Sequence, residues 1–138
     1  MNTNNRQNHK EMLVNDLNGI ALPEPIATYF KATNLYDEVL LATCFSDDCV
    51  LADEGKILHG PKAVCRHIHK ANRDANVKTE LINYNKNDDE SIVSAIISGN
   101  FDGSPVPLEF CFTLGKGKII TLNIRVTNEQ CNLGYLSD

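Results

Sequence analysis

The sequence predicts an α+β domain, with helices first and a long, curled antiparallel sheet after them, the helices packed on one sheet face. Three observations carry this reading. Apolar residues recur at helical spacing between positions 26 and 33, and again between positions 64 and 71. From position 77 onward four strand-like runs follow one another, separated by short segments of turn chemistry. With 138 residues and 42% hydrophobic composition, the chain suits one domain with a sizeable core. We divide it into a leader over 1–20, a domain over 21–126 and a tail over 127–138.

The elements follow in order. Residues 1–8 are Asn-rich and read as disordered, whereas Met12, Leu13, Val14 and Leu17 suit a short helix within a flexible leader. In "LPEPIATYFKATN" the prolines favour a helix start, and Ile26, Tyr29, Phe30 and Thr33 define one buried face. "LYDEVLLATCF" reads as a second short helix ending at a turn in "SDD". The period then changes to two: in "CVLADEG" Leu51 and Asp53 share one strand face, Val50, Ala52 and Glu54 the other, and Gly55 permits the reversal into "KIL".

"GPKAVCRHIHKANRD" returns to a helix through about Arg73, its stripe made of Val64, His67, Ile68 and Ala71. The strands "VKTELINYN", "SIVSAIISGNF", "VPLEFCFTL" and "KIITLNIRV" then form an antiparallel meander. In the third of them Val106, Leu108, Phe110, Phe112 and Leu114 face inward, and Glu109 and Cys111 outward. Leu133, Tyr135 and Leu136 offer the tail a way to dock.

Charge and composition exclude several function classes. The net charge is −5 and the basic residues are scattered, which argues against a nucleic-acid partner. No apolar run reaches a membrane span, and "MNTNNRQNHKEML" lacks the core of a secretory signal, so a cytoplasmic protein is expected. Five widely spaced cysteines, with no C-x-x-C pair, read as reduced thiols and not as a metal site or a disulfide framework. His67 and His69 stand about 200° apart around a helix, so they do not share a metal; no metal and no cofactor is expected.

The markers "YFKATNLYD", "CFSDDCVLADEG", "HGPKAVCRHI" and "SGNFDGSPVPLEFCFTLGKGKII" together resemble the nuclear transport factor 2-like superfamily, in its ketosteroid-isomerase-like and SnoaL-like branch. The resemblance implies a cone-shaped barrel: a strongly bent sheet wrapped around the helices and enclosing an apolar pocket. Phe30, Leu51, Val64, Ile68, Leu108, Phe110 and Phe112 are the expected pocket lining. It also implies a small hydrophobic ligand and a homodimer through the outer sheet face.

In ketosteroid isomerases a tyrosine on the first domain helix donates to the substrate oxygen, and an aspartate at the end of the first strand moves the proton. Tyr29 in "ATYFKA" and Asp53 in "VLADEG" match these motifs. The position of that family's second oxyanion donor falls on Phe110, which removes half of the oxyanion hole. The late-strand carboxylate of SnoaL-type cyclases has no counterpart, since "IITLNIRV" offers Thr121, Asn123 and Arg125. His67 is placed to relay a proton to or from Asp53.

Each candidate also has a structural role open to it. Asp53 can bond the turn amides around Gly55, Tyr29 can be a core residue, and His67 can simply pack. The sequence thus leaves two functions open, an isomerase or lyase with Asp53 as base and a non-catalytic ligand-binding or assembly module.

Overall fold

The computed structural model describes residues 13–15 and 19–127. Two short strands, β1 (Leu13–Asn15) and β2 (Ala21–Pro23), precede helices α1 (Glu24–Leu35) and α2 (Glu38–Ala42). Then come β3 (Phe45–Asp53), β4 (Lys56–His59) and helix α3 (Pro61–Asp74). The chain ends in β5 (Lys78–Asn87), β6 (Glu90–Ser98), β7 (Val106–Gly115) and β8 (Lys118–Val126).

Helix α1 starts where the prolines allow it: Pro25 lies in its first turn, where a missing N–H costs nothing. It ends at Tyr36, which takes the left-handed conformation and returns its N–H to the carbonyls of Ala32 and Thr33. Ile26, Tyr29, Phe30 and Thr33 form the buried face, each large apolar side chain contributing on the order of 1.5–3 kcal/mol. Asn34, on the flank of that face, donates to the Thr79 carbonyl (3.1 Å) and accepts from the Thr79 amide (2.9 Å). One side chain thereby pairs with the start of β5 as a strand would.

The six long-range strands form one sheet in the order β4-β3-β8-β7-β6-β5. The predicted meander β5-β6-β7-β8 is present, every neighbour antiparallel. Two features differ from the sequence expectation. Strand β3 joins β8 in parallel, so the sheet is not wholly antiparallel. The sheet is curved but does not close into a barrel: β4 and β5 are its two edges and do not pair with each other. The helices cover the concave side, and the core lies between them and the sheet, around Ile26, Phe45, Leu51, Val64, Ile119, Leu122 and Phe112.

Three local expectations are corrected. Leu13–Asn15, placed in a short helix by its apolar spacing, is a strand paired with Ala21–Pro23; so short a segment is not stable as a lone helix, and β2 supplies its hydrogen bonds. "SDD" is not a turn but lies inside β3, where a register irregularity between Phe45 and Val50 lets Asp47 and Asp48 stay in solvent. Ser46 donates to Asp48 (2.9 Å) across that irregularity. Helix α2 ends at Ala42, and Phe45 already belongs to the strand. The proposed docking of Leu133, Tyr135 and Leu136 lies outside the described residues.

Candidate active site

Asp53 closes β3. Alternation along that strand sends Cys49, Leu51 and Asp53 to the concave side, and the first two are fully buried. The reversal after it is a two-residue hairpin loop, Glu54 (φ 52°) and Gly55 (φ 79°), with Asp53 paired to Lys56. Positive φ at both central residues fits the right-handed twist of the flanking strands, and glycine accepts it without strain. Glu54, a non-glycine residue in the same region, is held there by the loop and stays exposed.

His67 reaches Asp53 from α3. Its Nε2 stands 3.0 Å from Asp53 Oδ2, and the two side chains are 22% and 20% exposed. That exposure leaves both within reach of a molecule in the adjoining cavity while shielding them from bulk water. Among the described residues the carboxylate engages His67 and not the amides around Gly55. The i, i+3 and i+4 spacing of Val64, His67 and Ile68 produces the contact: Val64 and Ile68 bury the helix face and carry His67 with them.

Tyr29 is 2% exposed and set among rings. Phe30, Phe45, Phe110 and Phe112 pack around it at centroid distances of 4.9, 6.2, 6.2 and 5.5 Å, mostly edge to face. Its hydroxyl makes no hydrogen bond to another described residue. Burial raises the phenol above its ordinary range, and the nearby negative charge of Asp53 pushes it further the same way. Tyr29 is therefore a neutral hydrogen-bond donor at any ordinary working pH.

Tyr29, Asp53 and His67 line one cavity of about 510 Å³ between α1, α3 and the concave face of the sheet. Of the expected lining, Phe30, Ile68, Leu108 and Phe110 are on its wall. Leu51, Val64 and Phe112 are not: each is wholly buried in the solid core beside it, because their rows on the sheet and helix lie under closely packed neighbours. Sequence reasoning missed the far wall. Ala75 and Val77 in the α3–β5 connection, Thr79 on β5, and Phe101 and Asp102 in the β6–β7 loop also face the cavity. Phe101, an aromatic residue inside a run of turn formers, was the available signal. The loop is fastened there by Asn100 N donating to Ala75 O (2.7 Å) and Gly99 N to Ser104 Oγ (2.9 Å).

The remaining candidates lie elsewhere. Glu109 faces the convex side and accepts from Arg125 Nε (3.1 Å), so it offers no replacement for the donor that Phe110 lacks. His69 points to Glu38 on α2, with Nε2 3.9 Å from Oε1, and His59 is exposed on β4. Cys44, Cys49, Cys65 and Cys111 are free and buried. Burial pushes the Cys44 thiol up to about 11 and that of Cys65 up to about 12, which makes them inert core residues.

Comparison with known proteins places this architecture. A candidate polyketide cyclase of Sinorhizobium meliloti matches with a TM-score of 0.72 and 35% identity over 75% of this chain and 95% of that one. The chain belongs to the nuclear transport factor 2-like superfamily. More distant structures of the superfamily agree on the fold. A protein of Catenulispora acidiphila with a ketosteroid isomerase-like fold, solved in complex with trimethylamine, has a TM-score of 0.64 at 18% identity, over 74% of this chain and 84% of that one. A cystatin-fold protein of Novosphingobium aromaticivorans has a TM-score of 0.62 at 14% identity, over 73% and 94% of the two chains. No family model and no curated protein matches the chain. Among the described residues no helix is long and apolar enough to cross a membrane.

Proposed function

We propose that this superfamily member is an isomerase or lyase that moves a proton on a small, largely apolar carbonyl compound. The observation that supports it is the meeting of a histidine-paired carboxylate and an unpartnered neutral phenol on the wall of one cavity. Asp53 takes the proton from the carbon beside the carbonyl. The electron pair moves onto the carbonyl oxygen, and Tyr29 O–H donates to that oxygen as its charge grows. Asp53 then returns the proton to another carbon as the carbonyl re-forms, or the enolate pair forms a carbon–carbon double bond while a leaving group departs from the β position with its bonding pair and takes the proton from Asp53. His67 holds the carboxylate in orientation through the 3.0 Å contact.

The test is deuterium exchange at the α-carbon of small ketones, followed by NMR. The protein is expected to accelerate exchange and Asp53→Asn to lower it on the order of 10³-fold with the fold intact; equal rates in the two proteins would defeat the proposal.

Phe110, standing where a second oxyanion donor belongs in ketosteroid isomerases, favours a second reading: a module that binds a small hydrophobic molecule without transforming it. On that reading Asp53→Asn changes affinity alone, and native mass spectrometry of the purified protein finds a retained small molecule. The proposed assembly is a homodimer through the convex sheet face, which sedimentation at micromolar concentration tests.

A further inference from the structure

The cavity wall carries a charge imbalance that proton transfer does not require. Three carboxylates line it, those of Asp53, Glu54 and Asp102, and none of its lining residues is a lysine or an arginine. His67 offsets at most the charge of Asp53, to which it is bonded. Glu54 and Asp102 have no cationic partner among the described residues, so the lining stays negative whether or not His67 is protonated. The backbone that carries each of them is held, while the side chains themselves are exposed. Glu54 sits in the tight β3–β4 loop, and Asp102 on the loop that Asn100 and Gly99 fasten.

The rest of the wall is aromatic and aliphatic. Tyr29, Phe30, Phe101 and Phe110 contribute rings, and ring faces attract ammonium groups and repel anions. The hydroxyl of the buried Tyr29 side chain, unpartnered among the described residues and on the cavity lining, separately favours an occupant with a hydrogen-bond acceptor. An anion entering here gives up hydration and meets an excess of like charge, whereas a cation meets two unpaired carboxylates and aromatic walls.

We infer that the occupant of this cavity is a cation, an apolar carbonyl compound bearing an ammonium group, and not a carboxylate, sulfonate or phosphate. The inference rests on the cavity being the ligand site of the proposed function, and it narrows the substrate class of that site.

Calorimetric titration at low ionic strength with three probes of similar size tests it: benzyltrimethylammonium, benzyl methyl sulfone and benzylsulfonate. The cation is expected to bind about tenfold more tightly than the neutral sulfone, with the anion weakest. The double variant Glu54→Gln, Asp102→Asn, changed only at exposed side chains, is expected to bring the cation down to the level of the sulfone. An anion that binds as well as the cation, or a double variant that leaves the cation's affinity unchanged, overturns the inference. Failure of all three probes to bind defeats the ligand-cavity reading and this inference with it. A cation-first order in a protein whose Asp53→Asn variant retains exchange activity supports the inference and defeats only the assignment of the base.

Discussion

One concave sheet face is solid at one end and hollow at the other. Leu51, Leu122 and Phe112 stand in one register row across β3, β8 and β7, and each is at most 1% exposed. The next inward row, Asp53, Ile124 and Phe110, borders the cavity, and the row beyond it pairs Leu108 with Val126, which is 63% exposed. The side chains do not shrink along this direction. Tyr29 and Phe30 pack against both Phe112 and Phe110, but only the later row also borders the void. A change of residue type marks the border instead: on β3 the inward series Cys49, Leu51 ends in Asp53.

Substitutions on either side of that border should behave differently. The largest effect is expected at the border itself, where Asp53→Asn should lower α-proton exchange on the order of 10³-fold with little change in melting temperature. In the solid part, Phe112→Ala should cost about 3–5 kcal/mol in denaturant unfolding, because the packed surroundings cannot collapse around the lost ring. Phe110→Ala, beside a void that already exists, should cost less, about 2 kcal/mol. Equal costs at the two positions would erase the contrast.

The thiols sharpen it by pH. Cys44 and Cys65 have folded values raised above the ordinary thiol range near 9, to about 11 and about 12. For an acid whose folded value is raised, the stabilisation is full below the unfolded value and is lost as pH rises through the folded one. Stability should therefore fall between about pH 9 and 12, and replacing both cysteines with alanine should flatten that limb of a melting-temperature profile.

Smaller effects test the frame that holds the hollow end open. Asn34→Ala removes both bonds to Thr79 and should cost about 1–2 kcal/mol, with faster amide exchange at the start of β5. Glu54→Gly relieves a left-handed non-glycine residue and should add up to about 1 kcal/mol in the same unfolding assay.

Much of this frame was legible in the sequence because it depends on local period. The face of α1, the inward turn of Asp53 and Phe110 and the four-strand meander each follow from spacing along one element. The contact between His67 and Asp53 was within reach for the same reason, as each lies on a predictable face. The parallel neighbour of β3 was not legible, since nothing in "FSDDCVLAD" specifies a partner far away in the chain. Nor was the division of the apolar residues between core and cavity: Leu51 and Leu108 have the same chemistry, and only the elements above them decide which one meets a void. Asp102 and Phe101 came from a loop, where conformation follows contacts with the α3–β5 connection and not a period.

The parallel pairing of β3 with β8 governs how the site comes into being. Asp53 and its neighbour Ile124 are separated by about seventy residues of chain, as are Phe45 and Ile119. Closing so long a segment carries an entropic cost before its contacts compensate for it, whereas each hairpin of the meander closes locally. The meander can thus form early, and Asp53 takes its place only when the two halves of the chain meet. Proton-transfer competence is then a late property of folding, and a chain ending before β8 would keep local hairpins while lacking the surface on which its carboxylate is mounted.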